Sequence, residues 1–207
     1  IDTKSRLEEL LGSTLAATKW FIAGKGEKHL SFKELHSLAS DIANQIFSDS
    51  PKINSELINR VKPSSNSVTA LKTLLKLMGE NQGKERLGIE GFPAEGGLFD
   101  NLLSKTSLYD GNSFVEPDEG NDPARLAPLW KITDDYFQNN NKSVGISEIY
   151  KIWSAPPLGV KEGLHPFLMM AYLLTRLQNY ALYIEGAYRP SLDGLFIDYL
   201  LKSPRDF

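Results

Sequence analysis

Apolar side chains recur with the 3.6-residue period of an α-helix along most of the first half of the chain. The clearest case follows Ser31-Phe32-Lys33-Glu34, which fits a capping box, and its apolar face extends from Phe32 to Ile46. A second helix is predicted to begin at Ser64 or Ser65, with an apolar face from Val68 to Met78. These patterns predict a mainly helical first half.

Two further patterns flank these helices. Residues 6–22 predict a helix that runs into a strand, which Gly24-Lys25-Gly26 ends. After a short extended piece over Arg86 to Ile89, Pro93 suits the first turn of another helix, with apolar residues from Leu98 to Leu103. The first half thus combines helices with a short strand segment.

Residues 110–123 differ in composition from the rest of the chain. Turn formers and acidic residues dominate, and only Phe114 and Val115 offer apolar side chains to a core. We interpret this stretch as an acidic linker. It divides the chain into a helical subdomain over 1–109, for which a winged-helix-like order stays open, and a subdomain over 124–207.

The second half shows the order helix, helix, helix, hairpin. Helices are predicted around Trp130, around Tyr150 and over residues 161–177. The segment 181–189 then predicts a hairpin with Glu185-Gly186 as its two-residue turn. This order is typical of a winged helix-turn-helix. The predicted fold class is mainly α with short β-hairpins, in two helical subdomains of which the second is winged helix-turn-helix-like.

The composition excludes some kinds of catalytic and metal-binding site. The 207 residues include no cysteine and three histidines, 41% are hydrophobic, and the formal net charge is −3. A thiol nucleophile and cysteine ligands are therefore excluded. Because His29, His36 and His165 show no helical pairing, we expect no metal and no cofactor. The overall charge does not indicate a nucleic-acid ligand, although it does not exclude a local basic surface.

Neither a signal peptide nor a membrane span is predicted. Residues 1–6 carry charges of both signs, and no apolar stretch follows them. The most apolar stretch, Leu164 to Leu174, contains Pro166 and is shorter than the roughly 20 residues that a bilayer needs. Since the chain begins with Ile1 and enters a helical pattern almost at once, we expect a segment of a longer protein, and we expect no membrane as a partner.

No motif predicts catalysis. Gly24-Lys25-Gly26 lacks the spacing of a phosphate-binding loop, and the glycines over 88–97 are accompanied by glutamates that would repel an anion. His165 has no nucleophile at a recognisable spacing. The adjacent carboxylates Asp134 and Asp135 would point away from each other on a helix. We therefore predict that this segment is not an enzyme.

Several basic residues indicate a candidate nucleic-acid surface. The candidates are Arg60, Lys62, Lys72, Lys76 and, beside the predicted wing, Arg189. The simpler interpretation is a solvated helix face. The third helix of the second half is apolar on most sides and lacks the side chains that read base edges, so a winged helix here would favour interaction over base reading.

Several phrases of the sequence resemble a known group of proteins. They are Pro51 to Arg60, Leu87 to Pro93, Pro156 to Leu164, Ala181 to Gly186 and Ser203 to Phe207. Together they resemble the region outside the ATPase core of large bacterial P-loop proteins, some of which are similar to the ATPase components of BREX-like phage-defence loci. The resemblance implies a bacterial cytoplasmic parent whose ATPase motor lies elsewhere.

The resulting hypothesis is a non-catalytic interaction module of a larger ATP-binding protein. Its ligand would be duplex DNA or a partner protein. The alternative is a structural domain that only packs against the remainder of its own chain.

Overall fold

A computed structural model describes residues 3–16, 18–22, 26–28, 30–55, 64–118, 120–140 and 142–202. The contacts divide the chain into two compact units, Ile1–Ser48 and Asp49–Phe207. The described residues are mainly helical and include two short antiparallel hairpins. This confirms the coarse prediction of a mainly α chain with short hairpins.

The first unit contains two helices around a hairpin. Its elements are α1 (Thr3–Ala16), β1 (Trp20–Ile22), β2 (Gly26–Lys28) and α2 (Phe32–Ile46). The predicted capping box is present, because the Ser31 amide donates to the Glu34 carboxylate at 2.9 Å and the Glu34 amide donates to Ser31 Oγ at 3.3 Å. Large apolar side chains stay exposed on both helices: Leu7, Leu10, Ile42 and Ile46.

The second unit contains six α-helices among its described residues. They are α3 (Ser65–Glu80), α4 (Ala94–Phe99), α5 (Ala127–Asn139), α6 (Ile146–Ser154), α7 (His165–Arg176) and α8 (Gly194–Lys202). A hairpin of β3 (Leu182–Ile184) and β4 (Ala187–Arg189) lies between α7 and α8. Ser64 caps α3 by accepting a hydrogen bond from the Ser67 amide, which decides between the two predicted caps.

One apolar core runs through the second unit, from Ala70 in α3 to Leu200 in α8. Helix α3 contacts α4, α7 and α8. In α7 every residue from Phe167 to Leu173 is buried, as expected for a helix that is apolar around most of its circumference. The α7 helix is therefore the centre of the unit and not a surface helix.

The predicted boundary at 110–123 does not separate the described contacts, which divide between Ser48 and Asp49 instead. Phe114 is buried and its ring lies 5.1 Å from that of Tyr109. The Asp122 carboxylate accepts hydrogen bonds from the first amides of α5. A few well-placed side chains thus attach a polar segment to the core, so that the described parts of 64–202 form one unit and not two subdomains.

Candidate interaction surfaces

The predicted basic face of α3 is present, but carboxylates accompany its lysines. The Lys72 ammonium forms an ion pair with Asp198 of α8. The hydrogen bond from Lys72 keeps the pKa of the Asp198 carboxyl below its usual range. The Lys76 ammonium lies 3.9 Å from the Glu80 carboxylate, one turn along the helix. The nearby carboxylate partly neutralises each lysine, so each would attract a phosphate less strongly than an unpaired lysine would.

The other predicted nucleic-acid residues contribute less. Arg189 lies in β4 opposite Leu182 and is partly buried. Its Nε is buried and has no hydrogen-bond partner among the described atoms. Arg60 and Lys62 lie outside the described residues. The structure describes three of the five candidates, Lys72, Lys76 and Arg189. Both lysines among them lie near a carboxylate.

The β3–β4 hairpin presents two tyrosines to solvent. Tyr183 and Tyr188 face each other across the hairpin with ring centroids 5.8 Å apart, and they are 57% and 60% exposed. Ile184 is buried beneath them, as the alternation of a strand requires. The hairpin therefore has one face in the core and one aromatic face outside.

The tip of this hairpin is held in place. Glu185 and Gly186 both have positive φ, 50° and 76°, as in the two-residue turn predicted from their sequence. The Glu185 carboxylate accepts a hydrogen bond of 2.6 Å from the Tyr199 hydroxyl of α8. The exposed tyrosines thus stand on a hairpin that is tied to a neighbouring helix at its turn.

A left-handed turn precedes α4, where an extended piece was predicted. Arg86, Leu87 and Gly88 have φ of 47°, 53° and 71°. For a residue with a Cβ this conformation costs roughly 1–2 kcal/mol. Tertiary contacts offset that cost, because the Leu87 side chain is fully buried and its carbonyl accepts a 2.9 Å hydrogen bond from Asn81.

The Arg86 side chain holds the segment that follows. Its guanidinium donates to both oxygens of Asp100, at 3.3 and 2.9 Å, and to the Gly91 carbonyl at 2.9 Å. Gly96 makes room for it, because a Cβ there would lie 3.0 Å from Arg86 Nη2. We call residues 89–93 the Phe92 loop. Its Phe92 side chain is completely exposed, at 101%.

Sequence reasoning missed this loop. It considered the glycines over 88–97 only as an anion site that their glutamates exclude, and it did not consider which side chain this segment exposes. The signal was available, because Gly91-Phe92-Pro93 sets one large aromatic residue between two turn formers, with Glu90 and Glu95 on either side. An aromatic residue in that setting has no helical or strand periodicity that would bury it.

The buried His165 has Ser154 and the Val160 carbonyl as polar neighbours. Its Nε2 lies 3.3 Å from the Val160 carbonyl and 3.4 Å from Ser154 Oγ. Burial lowers its pKa, and the Val160 carbonyl and the Glu162 charge offset this effect only in part. The Ser154 hydroxyl donates to the Tyr150 carbonyl at 2.9 Å. Serine is therefore not oriented as a nucleophile with this histidine as its base.

Arg176 lines an open pocket of about 420 Å³. Its Nε and Nη2 donate to the two oxygens of Asp134, each at 2.8 Å, and Nη1 lies 2.9 Å from Glu116. Tyr172 also donates to Asp134, at 2.6 Å, and burial followed by this hydrogen bond raises the pKa of its hydroxyl. The charged groups of the pocket thus satisfy one another and tie three segments together.

Among the described residues, no group of three or more histidine, aspartate or glutamate side chains is arranged to hold a metal ion. None of the described helices has the length and apolar character needed to cross a membrane.

Comparisons with known proteins add no family to this picture. No protein-family model matches the chain, and no curated protein and no solved structure matches it either.

Proposed function

We propose that the chain is a non-catalytic interaction module that binds a partner protein. The observation that carries this proposal is the exposed pair Tyr183 and Tyr188 on a hairpin fixed to the core. Tyrosine provides a large contact area with only two side-chain torsions to immobilise, and it is enriched among the residues that dominate binding energy at protein interfaces.

A protein partner accounts for these features better than DNA does. The lysines of α3 already face Asp198 and Glu80, so a phosphate would compete with a carboxylate for each. A base-reading helix must expose arginine, lysine, asparagine or glutamine, whereas α7 is buried from Phe167 to Leu173. The hairpin turn carries Glu185, whose charge would repel a phosphate backbone.

The winged-helix interpretation belongs to the same proposal. Helices α5, α6 and α7 followed by the β3–β4 hairpin have the element order of that motif. Trp153 of α6 donates to Thr133 of α5 at 2.8 Å, and Trp130 of α5 donates to Thr175 of α7 at 3.2 Å. These bonds support a packed three-helix group, with the hairpin as a wing that carries the tyrosines.

The sequence resemblance extends the proposal to the parent protein. We infer a bacterial, cytoplasmic P-loop ATPase similar to those of BREX-like phage-defence loci, with this segment as an accessory domain outside its motor. The segment itself would hold no nucleotide, because it has no phosphate-binding loop motif. Purified protein that hydrolyses ATP through this segment would contradict the inference.

Site-specific photo-crosslinking tests the protein-binding proposal. A photo-reactive phenylalanine replaces Tyr188 in the full-length protein, expressed in its source organism, and a matched control replaces Val68, which is 42% exposed on α3. We expect a crosslink to one other protein from position 188 only. With that protein purified, changing both Tyr183 and Tyr188 to serine should weaken binding about tenfold or more, and Val68→Ser should not.

Two results would overturn the proposal. A crosslink only within the chain itself would favour a domain that packs against its own parent. Binding of labelled duplex DNA that weakens steeply with salt, and that Lys72→Glu with Lys76→Glu removes, would favour a nucleic-acid ligand. Fluorescence anisotropy at low and at physiological salt measures the second result.

A further inference from the structure

Phe92 differs from an ordinary exposed apolar residue because its backbone is held. Single exposed hydrophobic side chains are common on protein surfaces and need no explanation. Phe92, however, is exposed over its whole side chain on a loop whose Gly91 carbonyl accepts a hydrogen bond from Arg86. On the other side, Pro93 is the N-terminal cap residue of α4. The aromatic ring is thus presented on a loop fixed at both ends.

The structure maintains unfavourable backbone conformations next to this loop. Two non-glycine residues, Arg86 and Leu87, adopt positive φ there. A simple connection from α3 to α4 would not need a left-handed turn, a guanidinium bound to Asp100 and a glycine at position 96 to accommodate it. Such strain persists where surrounding contacts enforce it, and it concentrates at functional sites.

A held loop also binds more favourably than a mobile one. Ordering a flexible segment on binding opposes association, and a loop that already has its bound conformation avoids that loss. A completely exposed phenylalanine on such a loop has the character of an interface anchor, which gains its energy by entering a desolvated pocket of the partner.

The charges around Phe92 define the pocket that would accept it. Residues 85–100 carry four carboxylates and one arginine, and that arginine is already bound to Asp100. Glu90 is exposed and Glu95 is half-buried, and these two glutamates are the charged residues nearest to Phe92 along the chain. An anionic membrane or a nucleic acid would be repelled. A protein surface with lysine or arginine around an apolar cavity is complementary.

We propose that Phe92 is the anchor of a second protein-binding site, which inserts into an apolar pocket rimmed by lysine and arginine on the partner protein. The site deepens the proposed function and rests on it, because it assumes that the module binds a protein. It involves residues other than the hairpin tyrosines, so that each of the two surfaces can fail independently.

Crosslinking from position 92 locates the partner pocket. A photo-reactive phenylalanine replaces Phe92 in the full-length protein in its source organism, with Leu195, 43% exposed on α8, as the control position. We expect a crosslink from position 92 to one other protein, in a peptide that contains lysine or arginine. Binding of that purified protein to Phe92→Ala should be about tenfold weaker or more, and binding to Leu195→Ala unchanged.

Charge reversal of the two glutamates provides a second test of the Phe92 site. Glu90→Lys together with Glu95→Lys should weaken the same binding, and the weakening should diminish as salt screens the charges. Phe92→Ala should keep the thermal unfolding midpoint of the parent, because its exposed side chain packs against nothing in the fold. That comparison separates lost binding from lost folding.

The outcomes are distinguishable from those of the hairpin proposal. If Phe92→Ala binds normally while the double tyrosine variant does not, the Phe92 site is refuted and the interaction module stands. If position 92 crosslinks no more than position 195, or only to a second copy of the chain, the Phe92 proposal is refuted. If neither surface affects binding to any protein, both proposals fail.

Discussion

Arg176 offers the sharpest test of how the second unit is held together. Its side chain is 11% exposed and contacts Asp134, 24% exposed, and Glu116, 55% exposed. The bidentate bond to Asp134 combines favourable geometry with partial burial, and we assign it about 2 kcal/mol. The bond to Glu116 is screened by solvent, and we assign it about 0.5 kcal/mol.

We therefore expect Arg176→Met to lower the free energy of unfolding by about 2.5 kcal/mol, because methionine keeps the packing of the stem and loses both carboxylate partners. For a chain of this size the loss corresponds to a fall of roughly 5–10 °C in the thermal midpoint. Arg176→Lys should recover only part of it, since an ammonium does not reproduce the fork of hydrogen bonds.

Double-mutant cycles by urea unfolding, followed by circular dichroism, measure the two bonds separately. Coupling of Arg176→Met with Asp134→Asn should be at least about twice the coupling of Arg176→Met with Glu116→Gln. A loss below about 1 kcal/mol for Arg176→Met, or two equal coupling energies, would show that burial does not decide the strength of these bonds.

Three further perturbations follow from the structure, each measured by unfolding in urea. Gly97→Ala should stabilise α4 by roughly 0.5–1 kcal/mol, because alanine has the higher helix propensity and its Cβ meets no other atom there. Gly96→Ala should give no stabilisation, because a Cβ at position 96 approaches the Arg86 guanidinium. Trp153→Phe should cost about 2 kcal/mol, from a small cavity and the lost bond to Thr133; a loss below about 0.5 kcal/mol would contradict this. Burial lowers the pKa of His165 in the folded chain, so the unfolded chain binds a proton at a higher pH than the folded chain does. Stability should fall as pH drops below about 6.5, and His165→Gln should flatten that fall.

Local signals in the sequence predicted local structure well. The capping box at Ser31 and the turn at Glu185-Gly186 depend on neighbours within three residues, so they can be read from the sequence directly. The burial of α7 was also predictable, because a helix that is apolar on most sides has few places at a surface.

The structural features that the sequence did not predict depend on contacts between residues that lie far apart in the chain. The left-handed turn at Arg86 is stabilised by Asp100, 14 residues further on. The segment 110–118 packs through the buried Phe114, and its Glu116 bonds to Arg176, 60 residues away. The pairing of Lys72 with Asp198 joins two different helices. The sequence patterns predicted an extended piece, a linker and a basic face at these residues.

The two proposed binding surfaces share one physical arrangement. At the hairpin, Tyr199 fixes Glu185 beside the exposed tyrosines; at the Phe92 loop, Arg86 fixes the Gly91 carbonyl. In both places a polar contact orders the backbone while the aromatic rings remain in water. Inside the unit the polar groups bind one another, as Trp153 does with Thr133. The Phe92 ring is fully exposed, and the two tyrosine rings contact each other across the hairpin. In the proposed association the backbones that carry these rings are already ordered, so little binding energy would be lost in ordering them.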